Sequence, residues 1–122
     1  MIVADTSVLF EILTQGPLHR KCSEALGHEA FLIPSLAIFE IYKKIKMKVS
    51  EDEALSAVAA LRAHQVESLT REIALCAAHL AIEHQLPMAD SIVLAHASLH
   101  HGTLVTLDHD FAGLDRVLIV RY

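Results

Sequence analysis

The sequence predicts an α/β protein, a single domain over residues 1–122 with three α/β/α layers and a central, mostly parallel sheet of four to five strands. Three observations predict it. Short apolar runs, each fit for a strand buried on both faces, alternate with longer stretches of helical periodicity. The 122 residues are enough to bury one core without disulfides or a structural metal. No stretch rich in Pro, Gly or Ser and no repeated period marks a linker or a second domain.

The first apolar run covers residues 2–4, and helical patterns follow over 6–15 and 18–27, the second closed by Gly27. A second strand is expected at 30–33, with Pro34 marking the boundary before a helix over 35–48. Ser50-Glu51-Asp52-Glu53 fits a capping box, so a new helix over 51–63 begins there. Residues 65–69 are a weaker strand. Helices over 71–85 and 89–100 come next, the latter preceded by Pro87 and ended at Gly102 as a C-terminal cap. Strands at 103–107 and 117–120 complete the pattern. Two helices separate some neighbouring strands, so one of each pair must run crosswise if the strands are parallel. Ile38, Ile41, Tyr42 and Ile45, and likewise Val8, Leu9 and Ile12, are apolar at helical spacing and belong to the core.

Composition narrows the function. No apolar run approaches the ~20 residues that cross a bilayer, and the N-terminal residues lack the basic and apolar segments of a signal peptide, so a cytoplasmic protein without a membrane partner is expected. Cys22 and Cys76 form no CxxC or Cys/His cluster and are expected as small buried hydrophobes. The net charge of −5 opposes a uniform nucleic-acid surface, but Lys43, Lys44, Lys46 and Lys48 lie within six residues.

Open parallel sheets bind ligands at the carboxyl ends of their strands. Asp5 follows the first strand, Asp108 closes the fourth, Glu40 lies early in the helix after the second, and Asp90 lies in the first turn of the last long helix, with Asp110 near Asp108. Converging carboxylates need cations to hold them together. Hard oxygen donors suit Mg²⁺ or Mn²⁺, which activate water and stabilise a leaving oxygen in phosphodiester hydrolysis. Each residue also has a purely structural reading: Asp5 as an N-cap, Asp90 as a partner of the helix dipole, Glu40 paired with Lys44, Asp108 and Asp110 as turn residues.

The strand ending in Asp5-Thr6-Ser7, Glu40 in an apolar helix, Leu86-Pro87-Met88-Ala89-Asp90-Ser91 and Thr106-Leu107-Asp108-His109-Asp110-Phe111 resemble, in order and spacing, the PIN domain of VapC-type toxin ribonucleases. The resemblance covers essentially the whole chain. It implies that Asp5, Glu40, Asp90 and Asp108 bind divalent metal and carry catalysis, with Asp110 as an outer ligand and Ser7, Ser91 and Thr106 as supporting donors. It also implies Mg²⁺ or Mn²⁺ as cofactor, RNA as substrate cut to 5′-phosphate and 3′-hydroxyl ends, a cognate antitoxin and a homodimer. The alternative is a PIN-like module that binds RNA or protein without catalysis.

A phospho-receiver domain shares the sheet but would need an Asp after its third strand, where Leu69-Thr70 stands, and a Lys near its fifth, whereas no Lys follows Lys48. The nine histidines show no HExxH spacing; only His109, between two acidic candidates, is kept as a substrate contact. The lysine cluster is either a solvated helix face or a phosphate contact.

Overall fold

Side chains in the strands alternate strictly between two helical layers. The structure is a computed structural model that describes residues 1–122. Its elements in order are β1 (Ile2–Ala4), α1 (Thr6–Leu13), α2 (His19–Leu26), β2 (Leu32–Pro34), α3 (Ser35–Lys48), α4 (Glu51–Leu61), β3 (Gln65–Glu67), α5 (Arg71–His84), α6 (Met88–Leu99), β4 (Thr103–Thr106), a 3₁₀ turn (His109–Phe111) and β5 (Val117–Ile119). Ala4, Ile33 and Val105 point into one core with residues of α1 to α4, while their neighbours Val3, Leu32 and Leu104 point the other way onto α6 and Phe111. A strand's period of two thus feeds two apolar layers at once, which is why β1 and β2 contain no polar residue and β4 carries its threonines only at its two ends.

The sheet has the order β3-β2-β1-β4-β5, and all four pairings are parallel. Helices come in pairs between the first four strands, with α3 packed on α4 and α5 on α6. The two edge strands are the least buried, and β3 is more exposed than β5.

Local signals account for most boundaries. The Ser50 hydroxyl accepts from the Glu53 N–H at 3.1 Å, as the capping box requires, and Thr70 does the same for Ile73 at 3.2 Å. Gly27 caps α2 at a φ of 78°. The second strand starts two residues later than expected and extends through Pro34, whose missing N–H falls where the strand passes into α3.

Two expectations need correction. Gly102 does not supply the left-handed residue after α6; His101 does, with a φ of 50°. The His101 and Gly102 amides reach back to Ser98 and Ala97 at 3.1 and 2.9 Å, closing a Schellman motif. Gly102 is needed for closeness instead: a Cβ there would overlap the Met1 carbonyl, where the first strand passes alongside. Cys76 is only half-buried, because α5 turns that side partly to solvent, whereas Cys22 is fully buried as expected.

Candidate metal centre

From β1 the chain goes to β2 and β3 on one side of the sheet and later to β4 and β5 on the other, so the order reverses between β1 and β4. A crevice at the carboxyl ends of such a pair is where open α/β sheets place their ligands. Asp5 leaves β1 there, its N–H still bonded to the Val105 carbonyl at 3.0 Å. Asp108 stands just past β4, Asp110 in the following 3₁₀ turn, and Asp90 in the first turn of α6.

Asp5 occupies the N-cap position of α1 yet makes no side-chain cap. Its Oδ2 accepts from the Thr106 hydroxyl at 2.7 Å and from the Ser7 hydroxyl at 2.9 Å. Thr106 also accepts from the Asp108 N–H at 3.0 Å, and Ser7 from the Leu107 N–H at 3.0 Å. Two hydroxyls therefore lock the end of β1 to the end of β4 and fix both aspartates against one scaffold. Thr6, which the sequence reading passed over, donates to Glu40 Oε1 at 2.7 Å and ties α3 to the same edge. Glu40 makes no ion pair with Lys44, whose ammonium instead lies 3.9 Å from the centre of the Phe10 ring.

Asp90, Asp108 and Asp110 each present an oxygen such that all three lie within 4.8 Å of one another. Asp5 and Glu40 stand outside that trio, but their charges reach it. Asp90 is pushed up to about 6, first by burial and then by Asp108, Asp5, Asp110 and Glu40. Asp5 is raised as well: burial outweighs the lowering by its bonds from Thr106, Ser7 and the Thr6 backbone. No lysine or arginine pairs with any of the five. The centre is a concentration of negative charge that the protein supports with hydroxyls and amides and leaves without a cation of its own.

An all-oxygen donor set of this density fits Mg²⁺ or Mn²⁺ and does not fit a thiolate- or imidazole-seeking metal. Asp110, expected as an outer residue, belongs to the tightest group. Asp108 also acts as a turn residue does, its Oδ1 accepting from the Asp110 N–H at 2.9 Å. Ser91 is not brought to the carboxylates: its hydroxyl turns back to the Met88 carbonyl at 2.7 Å within α6. His109 is exposed, with Nδ1 3.5 Å from Arg121 Nη1, and touches none of the acidic group.

A second polar cluster escaped the sequence reading. Glu67 at the end of β3 joins His96 Nδ1 at 2.6 Å and His100 Nε2 at 2.5 Å. Burial would raise the Glu67 carboxyl, but the two histidine bonds lower it on balance. His96 is fully buried with Nε2 unpartnered, and burial lowers its pKa despite Glu67. His96 in α6 and His100 at its C-cap are four apart, so the signal for a shared partner was present, but nothing in the sequence named residue 67.

The fold is shared with toxin–antitoxin proteins. A chain of a toxin–antitoxin complex from Klebsiella pneumoniae superimposes with a TM-score of 0.84 at 24% identity, covering 99% of this chain and 98% of that one. VapBC2 from Rickettsia felis, solved bound to a promoter DNA fragment, matches with a TM-score of 0.77 at 14% identity over 98% and 97% of the two chains. VapC20 from Mycobacterium tuberculosis, a toxin that cleaves the sarcin–ricin loop, matches with a TM-score of 0.77 at 19% identity over 96% and 98%. No curated protein matches the chain. The PIN-domain family model spans residues 2–117, reaching from the strand that positions Asp5 past the turn that carries Asp110, and the chain therefore belongs to the PIN-domain family.

Proposed function

We propose that the chain, as one nuclease domain over residues 1–122, is a Mg²⁺- or Mn²⁺-dependent endoribonuclease and the toxin of a toxin–antitoxin pair. The observation that carries this reading is the uncompensated acidic centre at the switch point, where three carboxylates lie within 4.8 Å and Asp90 is pushed up to about 6. A bound divalent ion supplies a more acidic water and a counter-charge for phosphate oxygens. Asp90, Asp108 and Asp110 would hold it, with Asp5 and Glu40 completing the negative wall. Thr106 and Ser7 keep Asp5 oriented through Oδ2 and leave Oδ1 without a side-chain partner; Thr6 does the same for Glu40 through Oε1. Ser91 supports the centre only by anchoring the first turn of α6.

An antitoxin partner is supported by the complexes in which the neighbouring structures were solved. A homodimer is supported by large apolar side chains left in solvent, among them Leu75, Ile82 and Met88. No helix is long and apolar enough to cross a membrane, in keeping with a cytoplasmic place of action.

The test is cleavage of total RNA by the purified protein. Cleavage with Mg²⁺ or Mn²⁺, none with EDTA, 5′-phosphate and 3′-hydroxyl ends, and loss in Asp90→Asn and Asp108→Asn would bear the proposal out. Divalent-independent cleavage, or full activity in both variants, would overturn it, and RNA binding without any cleavage would favour the non-catalytic module.

A further inference from the structure

Three of the four clustered lysines share a groove with Glu40, at the edge of the acidic centre, and the fourth does not. The groove, about 360 Å³, runs along α3 from Thr6 and Glu40 past Phe39, Lys43 and Lys44 to Met47 and Lys48. Lys43, Lys44 and Lys48 follow Glu40 at the three-, four- and eight-residue spacings that keep side chains on one helix face. Lys46 falls on another face, with its ammonium 5.6 Å from the centre of the Tyr42 ring. None of the three groove lysines pairs with a carboxylate. In a chain of net charge −5, this is a local excess of positive charge beginning beside Glu40, whose own charge reaches Asp90.

The groove also carries exposed apolar surface where a solvated face would have none. Phe39 is 60% exposed, with the Lys43 ammonium 5.8 Å from its ring centre, and Met47 is 77% exposed. Cations interleaved with an exposed aromatic are what single-stranded nucleic acid uses: phosphates track the charges, and an unstacked base lies on the ring. A duplex keeps its bases stacked and would leave Phe39 unused.

We propose that this face of α3 is the substrate track, on which Lys43, Lys44 and Lys48 contact successive phosphates of single-stranded RNA and Phe39 stacks one base, delivering the strand to the centre at Glu40. The track rests on the nuclease reading only for what lies at its end, since binding is a property of the groove itself. An acidic protein segment would use the same lysines but has no need of the aromatic platform.

The test is fluorescence anisotropy of a labelled 12-nucleotide single-stranded RNA of mixed sequence in EDTA, so that binding is read without turnover. Over a salt series, the wild-type slope should fall by about 0.7 for each of Lys43→Gln, Lys44→Gln and Lys48→Gln, and by about 2 in the triple variant. Lys46→Gln should leave the slope unchanged, and Phe39→Ala should weaken binding about tenfold at an unchanged slope. All five positions are on the surface, and unchanged circular dichroism melts would show that folding is intact.

Equal losses in Lys46→Gln and the groove variants would reduce the effect to overall charge and overturn the track. So would wild-type binding in the triple variant. If that variant also loses binding to poly-glutamate, the groove belongs to an acidic protein segment; if it changes oligomeric state by light scattering, the face belongs to a second copy. A wild-type protein that binds RNA through the groove yet never cleaves it with Mn²⁺ would overturn the nuclease reading and leave the track standing.

Discussion

Asp90→Asn should make the metal-free protein more stable at neutral pH, although the substitution removes a charge from the first turn of a helix. The folded protein holds the Asp90 proton up to about 6, while the unfolded chain releases it near 3.8. Between those values the folded state binds more protons, so stability falls as pH rises through the window and the penalty is complete above it. The shift is worth roughly 3 kcal/mol if taken whole. Asp90 is only partly buried, so water and salt screen it, and about 1 kcal/mol is the figure to expect. For a chain of this size that is about 4 °C in Tm. The assay is thermal denaturation of both proteins in EDTA from pH 3.5 to 8. Their melting temperatures should converge near pH 3.5 and separate progressively towards pH 7, with the variant higher; Mn²⁺ should then raise the wild type more than the variant. A residue that served only the helix dipole would give the opposite sign, a loss of about 0.3–1 kcal/mol on substitution. A variant less stable than the wild type at pH 7.5, or a difference that does not vary with pH, would refute the argument that these carboxylates repel one another.

Thr106→Val should destabilise by about 2–3 kcal/mol in urea titrations, because it strands the Asp108 N–H and strips a donor from Asp5. With Asp5 then raised further, the loss should grow as pH rises, Mn²⁺ affinity measured by calorimetry should fall, and Thr106→Ser should restore both. Glu67→Gln should cost about 1.5–3 kcal/mol at pH 7 through its bonds to His96 and His100. Because the folded Glu67 carboxyl lies below its ordinary value, that contribution is present above about 4.5 and is lost as pH falls through the folded value, so the gap between variant and wild type should close in acid. A gap in urea midpoints that is the same at pH 7 and pH 3.5 would contradict this.

What the sequence made legible were features whose partners are close in the chain or repeat at a fixed period. Val3 and Ala4 announce a strand buried on both faces, and Ser50 with Glu53 announces a cap, because each signal is complete within a few residues. The acidic residues could be placed at one edge of the sheet because each lies just past the carboxyl end of a strand or in the first two turns of a helix, which needs only the element order. What could not be read was which hydroxyl would meet which carboxylate. Ser7 and Thr106 reach Asp5, Thr6 reaches Glu40, and Ser91 turns back on its own helix, and these choices depend on rotamers and on a register between strands a hundred residues apart. Gly102 shows the same limit. Its neighbour His101 accepts the left-handed conformation, and the glycine answers to a strand from the other end of the chain.

The register of β1 against β4 also orders events in time. Ile2 to Ala4 lie beside Thr103 to Val105, so β1 waits at the middle of the sheet for a strand made about a hundred residues later. Contacts of such sequence separation form late and slowly. Asp5 and Glu40 are made long before Asp90, Asp108 and Asp110, and without Thr106 the carboxylate of Asp5 lacks its shortest bond. A chain that stops short of β4 therefore lacks Asp108 and Asp110 as well as the Thr106 bond to Asp5. The acidic centre is thus assembled only after β4 and the turn that follows it have been made.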